Sequence, residues 1–263
     1  MISATETTPP SSTTRPVASS SSWLEEALAT ATDIPEEAEG FLLGRGLTEA
    51  MVRGMGIGVW RGLPDPTPSA VFHEKFGPQG LGVVGWICIP IRSPRGALLG
   101  VDFRTWGEEK KNVREFRLPD AEWNPTFTGV WPESLERIWA GGDVWIVEGL
   151  FDLAIARVLP AKDVALATGG AAVSRHHLDF LARFVSPRAQ VHLCYDTDAA
   201  GEKQKTGWTD PKTGKRYAGV PERLMRVGVR CRAVHYGGGK DPGEIWERGG
   251  MDALRRTFRP LEV

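Results

Sequence analysis

Two short apolar runs, each stopping abruptly at acid and glycine, constrain this chain more than any other feature. The first reads Val144-Trp145-Ile146-Val147-Glu148-Gly149-Leu150-Phe151-Asp152, and the second Val191-His192-Leu193-Cys194-Tyr195-Asp196-Thr197-Asp198-Ala199-Ala200-Gly201. Brief β-branched runs bounded this way are the pattern of buried strands that end in loops. In an open parallel sheet, ligands collect beyond the carboxyl ends of the strands, where Glu148, Asp196 and Asp198 would converge.

Those three acids suit a hard divalent cation such as magnesium, which takes a few carboxylates and fills its shell with water and phosphate oxygens. Taken one at a time, Glu148 reads better as the opening of a helix and Asp196-Thr197-Asp198 as a turn. An EF-hand over residues 196–207 is excluded, because Ala200 and Gly207 stand where that loop needs an acid and its bidentate glutamate.

As a pair, the motifs resemble the Toprim fold shared by bacterial DnaG-type primases, topoisomerases, OLD-type nucleases and recombination mediators. The resemblance runs from about Gly141 to Gly249. Ala165-Leu166-Ala167-Thr168-Gly169-Gly170 matches the strand and glycine turn between the acidic motifs, and Gly239-Lys240-Asp241-Pro242-Gly243-Glu244 resembles the late Lys-Asp-Pro motif of primases. Upstream, Phe41 to Val59 with Arg45-Gly46-Leu47 resembles the opening of the primase RNA-polymerase domain. Val83–Arg92 and Leu98–Arg104, joined by Ser93-Pro94-Arg95-Gly96, resemble its strand pair. That strand pair is what a topoisomerase or nuclease would not supply.

The resemblance implies an α+β N-terminal subdomain over residues 23–130 and an α/β Toprim domain over 131–263, with a mainly parallel sheet flanked by helices. It implies primer synthesis from ribonucleoside triphosphates on single-stranded DNA. Glu148, Asp196 and Asp198 would hold magnesium or manganese, with two ions during turnover, while Asp152 and Asp241 would support a second ion or orient the first. Lys240 and Arg104 would neutralise phosphate, with Arg45, Arg114, Lys110 and Lys111 as further nucleotide or DNA contacts. No zinc-ribbon cysteine set and no helicase-binding region are evident, so a replicative helicase or a separate zinc-binding-domain protein is an expected partner. The alternatives are a metal-dependent nuclease of the OLD type and a non-catalytic nucleic-acid-binding Toprim module. The upstream strands oppose the first and the intact acids the second.

Composition narrows the setting. A net charge of −1 over 263 residues rules out a globally basic nucleic-acid binder, so contacts must come from local patches. Residues 92–117 hold seven basic side chains against four acidic ones. Phe103, Trp106, Phe116, Trp123, Phe127 and Trp131 are interleaved through and just beyond them, a mixture suited to phosphates and unpaired bases or, more blandly, to a solvated face over core aromatics. Cys88, Cys194 and Cys231 sit in apolar runs without zinc spacing and read as reduced, cytosolic thiols. No membrane span or secretory signal is expected. Residues 1–22, almost all Ser, Thr, Pro and Ala, read as a disordered tail or linker.

Local signals supply the rest. Helices are expected over Trp23–Ala31, Ile34–Gly44, from a Thr48 cap, over Phe151–Leu159, and from a Ser174 cap to Phe184. His176 and His177 are expected to be exposed. Lys203 to Ala218, basic and punctuated by Gly and Pro, is expected to interrupt the helix after Asp198 and to turn at Asp210-Pro211-Lys212-Thr213-Gly214 as a protruding hairpin.

Overall fold

The computed structural model describes residues 22–63, 70–93, 96–107, 113–119, 127–130, 132–170 and 172–258. The tail over 1–21 and the candidate contacts Lys110 and Lys111, with Trp123 and Trp131, lie outside the described residues. Three small helices open the fold: α1 (Ser22–Ala31), α2 (Glu36–Gly44) and α3 (Glu49–Gly54). Thr48 caps α3 as expected, its hydroxyl accepting the Met51 N–H at 3.1 Å.

An antiparallel sheet follows in the order β1 (Gly58–Val59), β2 (Ile87–Arg92), β3 (Leu98–Arg104) and β4 (Val113–Arg117), with α4 (Ala70–Phe76) packed on it. Strand β2 starts at Ile87 rather than Val83, because Pro78–Val83 coil into a 3-10 helix before Gly85, whose φ of +82° turns the chain into the strand. Trp60, Phe72, Phe76, Phe103 and Phe116 are buried together between sheet and helices. Phe103 and Phe116 are therefore core, as Phe127 is in the second half, and cannot stack on bases. Trp106 is half-buried, and its Nε1 donates to the Gly85 carbonyl at 2.8 Å.

The second sheet is wholly parallel, ordered β10 (Cys231–Ala233), β7 (Val191–Cys194), β5 (Val144–Val147) and β6 (Val164–Ala167). Strands β5 and β6 are apolar throughout, and β7 is so but for His192, because both faces are covered, by α5 (Pro132–Trp139), α6 (Arg175–Phe184) and α8 (Val220–Arg226) on one side and the N-terminal helices with α9 (Pro242–Phe258) on the other. Leu42, Leu47 and Met51 share one core with Trp145, Leu153 and Ile245, so the two halves are joined by a continuous apolar cluster. Thr128 bridges Ala167 at the edge of this sheet. Among the described residues no helix is long and apolar enough to cross a membrane.

Three expectations need correction. The segment after Gly149 is a 3-10 helix, Leu150–Arg157, ending before Leu159. His177 is buried: it occupies the third position of α6, where its Nδ1 accepts the Ser174 N–H and its ring stacks on Phe127 at 4.5 Å. Helix α7 (Ala199–Thr206) continues through Lys203 and Lys205, and only beyond it does the chain form the expected hairpin, β8 (Trp208–Thr209) and β9 (Arg216–Tyr217).

Candidate active site

Pairing of Val147 with Cys194 sets the ends of β5 and β7 level, so Glu148 leaves one strand beside Tyr195 and Asp196 leaving the other. The two acidic motifs thus meet on adjacent strand ends, where polar chemistry concentrates in parallel sheets. Asp198 caps α7, its Oδ1 accepting the N–H groups of Ala200 and Gly201 at 3.0 Å each. Those bonds hold its carboxyl below the usual range, with Lys240 adding to the effect.

The Lys-Asp-Pro loop closes over both. Thr197 N–H donates to the Lys240 carbonyl at 2.9 Å, and the Tyr236 hydroxyl donates to the Tyr195 carbonyl at 3.0 Å. This places the Lys240 ammonium 2.8 Å from Asp196 Oδ2 and 3.5 Å from Asp198 Oδ2. The bond to Asp196 raises the pKa of Lys240, which remains charged. Glu148 is pushed up to about 7, first by burial and then by Asp196 and Asp198, and its Oε2 is buried with no hydrogen-bond partner.

Asp152 does different work. Its Oδ2 accepts the Gly149 N–H at 2.8 Å and its Oδ1 the Gly243 N–H at 3.1 Å, so one buried carboxylate ties the end of β5 to the start of α9. Burial, and then the neighbouring Asp241, raise its pKa. Asp241 in turn accepts the Glu244 N–H through Oδ1 at 2.6 Å. Both acids expected beside the metal ligands are engaged with backbone.

Arg45 and Arg104 meet at one aromatic ring that the motifs did not single out. Their guanidinium carbons lie 4.6 and 5.1 Å from the Phe151 ring centroid. Gly46 makes that approach possible, since a Cβ there would stand 2.5 Å from the Ala154 Cβ. Arg45 also pairs with Glu247. Arg114 is exposed on β4 with its guanidinium over Trp86 at 5.4 Å.

Residues 145–246 match the family model described as Toprim-like. The chain carries a Toprim-like domain in a primase-core fold. The DNA primase of Aquifex aeolicus is 28% identical over 175 residues, 65% of this chain and 32% of that protein. A Staphylococcus aureus DNA primase is 23% identical over 242 residues, 83% of this chain and 37% of that one. The chain therefore spans about a third of the length of the curated primases it matches. Among solved structures, the zinc-binding and RNA polymerase domains of the Aquifex aeolicus primase superpose with a TM-score of 0.59 at 21% identity, covering 89% of this chain and 58% of theirs. A DnaG primase catalytic domain bound to single-stranded DNA superposes at 0.54 with 15% identity, covering 89% and 80%. At such identities these likenesses establish the fold.

A Toprim-like domain in this fold implies use of a divalent metal. The donor set fits one, being three hard-oxygen carboxylates of which Glu148 has an unpartnered buried oxygen. Among the described residues no three His, Cys, Asp or Glu side chains are yet gathered to coordinating distance. Lys240 instead supplies the positive charge that the adjacent carboxylates require.

Proposed function

We propose that this chain joins ribonucleotides on a single-stranded DNA template, as the catalytic part of a primase. The observation that carries the reading is the convergence of Glu148, Asp196 and Asp198 on adjacent parallel strand ends, roofed by Lys240, in a primase-core fold. In this reading residues 23–130 form the primase-core-like subdomain and 131–263 the Toprim catalytic domain.

The reaction attaches a 3′-hydroxyl to the α-phosphorus of an incoming triphosphate and releases pyrophosphate. Glu148, Asp196 and Asp198 would hold magnesium or manganese, which when bound offsets the charge of the phosphates and of the attacking oxygen. Lys240, on a flexible stem, is placed to turn from the carboxylates to a phosphate oxygen. Asp152 and Asp241 keep the backbone of the two motifs in register, so they act as positioning residues. Arg45 and Arg104, steadied on Phe151, offer fixed positive charge beside the cluster for nucleotide or template phosphate. The upstream antiparallel sheet favours synthesis over hydrolysis by an OLD-type nuclease.

The direct test is incubation with single-stranded DNA, labelled ribonucleoside triphosphates and magnesium or manganese. Template-dependent short RNA products are expected. Cleavage of the DNA without incorporation would overturn the assignment.

A further inference from the structure

The hairpin that follows α7 is built to project and is not accounted for by the acid cluster. At its root the two backbones press against each other. A Cβ on Gly207, whose φ is +79°, would stand 2.6 Å from the Tyr217 carbonyl oxygen, and one on Gly219 would stand 2.7 Å from the Gly207 nitrogen. The tip is equally ordered. Asp210 accepts the Lys212 N–H and the Thr213 hydroxyl at 2.8 Å each, while its own N–H donates to the Lys215 carbonyl at 2.9 Å. The arm thus leaves the molecule at a set angle rather than as a slack loop.

Along it, Trp208 and Tyr217 stack face to face, with centroids 4.8 Å apart and planes 11° from parallel. They remain 37% and 39% exposed and belong to none of the core clusters. Lys203 lies over the Trp208 ring and Lys215 over the Tyr217 ring, each ammonium 5.1 Å from the centroid. A cross-strand aromatic pair helps an isolated hairpin to form. That accounts for the two rings but not for the charge around them. Arg216 is paired with Glu222 and Lys205 is buried against Glu202, yet among the described residues no carboxylate is in ion-pair reach of Lys203, Lys212 or Lys215.

We propose that this arm is a contact surface for single-stranded nucleic acid running to or from the acid cluster. The inference rests on the polymerising function proposed above. A base stacked on the outer face of either ring takes the place of its lysine, whose flexible stem carries the ammonium to a flanking phosphate. The eight residues of α7 separate the arm from Asp198. At 1.5 Å per residue that is about 12 Å, roughly the span of three to four stacked nucleotides. The length of α7 thus sets the arm within about three to four nucleotides of Asp198.

The test uses a fluorescent oligothymidylate and anisotropy titrations over a range of salt. It compares wild type with the double variants Trp208→Ala/Tyr217→Ala and Lys203→Ala/Lys215→Ala, and with a form in which residues 208–218 are replaced by Gly-Ser. The close Gly207–Gly219 root lets that short link keep α7 and α8 in place, which unchanged urea midpoints would verify. The aromatic variant should bind about tenfold more weakly. The lysine variant should lower the slope of log affinity against log salt by about 1.4, two phosphate contacts on a single strand. Wild-type affinity and slope in the arm-deleted protein, or no binding by wild type, would overturn the proposal. Ribonucleotide incorporation measured alongside separates the two readings: a wild type that binds through the arm without incorporating contradicts only the polymerising function.

Discussion

Gly201→Ala separates helix propensity from geometry at the active site. Gly201 lies in the first turn of α7, and by propensity alone alanine would stabilise that helix by about 1 kcal/mol. An added Cβ, however, would stand 2.1 Å from the Asp196 carbonyl oxygen and 2.8 Å from its carbon. Ordinary contact begins near 3.4 Å, so the first turn of α7 must retreat by about 1 Å. That retreat strains the bonds by which Asp198 caps Ala200 and Gly201. Overpacking of about 1–3 kcal/mol and a weakened cap of about 0.5–2 kcal/mol outweigh the propensity gain of about 1 kcal/mol, leaving a net loss of about 0.5–4 kcal/mol. Because Asp198 moves away from Asp196 and Glu148, incorporation should fall by up to about a hundredfold. Urea unfolding gives the first quantity and labelled-ribonucleotide incorporation the second. The neighbouring Ala200→Gly, with no such contact to relieve, should cost no more than about 1 kcal/mol. A Gly201→Ala protein as stable as wild type would refute the close approach on which the reasoning depends.

Two further predictions concern pH. At the opposite end of the parallel sheet, His192 Nδ1 accepts from Arg232 Nε at 2.9 Å, leaving its Nε2 to donate to Asp143 at 3.1 Å. Burial holds this ring below its ordinary pKa, and although burial alone would raise Asp143, the Gln190 N–H and His192 hold it low. Both depressed values mean that the unfolded chain takes up protons first, so stability should fall as pH drops below about 6.5 and again near about 4. His192→Gln should flatten the upper part of that loss in urea titrations, and an unaltered profile would exclude the pair as its source. Glu148 has the opposite sign. With its carboxyl raised to about 7, stability should decline as pH climbs from the unfolded value of about 4.3 through about 7. In chelator, Glu148→Gln should gain on wild type over that interval, and a constant difference across it would contradict the crowding of the acids.

Much of this architecture was legible in local sequence because local chemistry decides it. The Thr48 and Ser174 caps, the strand pair ending at Arg104 and the turn at Asp210 each follow from side chains that satisfy nearby backbone. What sequence hid depends on contacts between distant residues. His177 looks solvent-facing until Phe127, fifty residues earlier, is laid against it, although its place three residues after a Ser cap was a signal. Lys205 looks like part of a basic surface, yet its ammonium is buried, paired with Glu202 and set over the Tyr236 ring. Phe151 lies within the first acidic run without a role read for it there, and only the fold brings Arg45 and Arg104 to its ring. The acids themselves were readable as a set, but the tie of Asp152 to the start of α9 was not, because the Gly243 N–H is remote from Asp152 in sequence.

The acid cluster is tested most directly by what it does to a nucleotide. Wild type, Asp196→Asn and Asp198→Asn would be given single-stranded DNA and labelled ribonucleoside triphosphates, with magnesium, with manganese and with chelator. An asparagine oxygen can still cap α7 at position 198, and Lys240 keeps one of its two carboxylates in either variant, so both should fold, with urea midpoints at or modestly below wild type. Wild type should form short template-dependent RNA only with metal, and both variants should form none at saturating metal. Incorporation by either folded variant at the wild-type rate would contradict the assignment of the cluster as the site of nucleotide transfer.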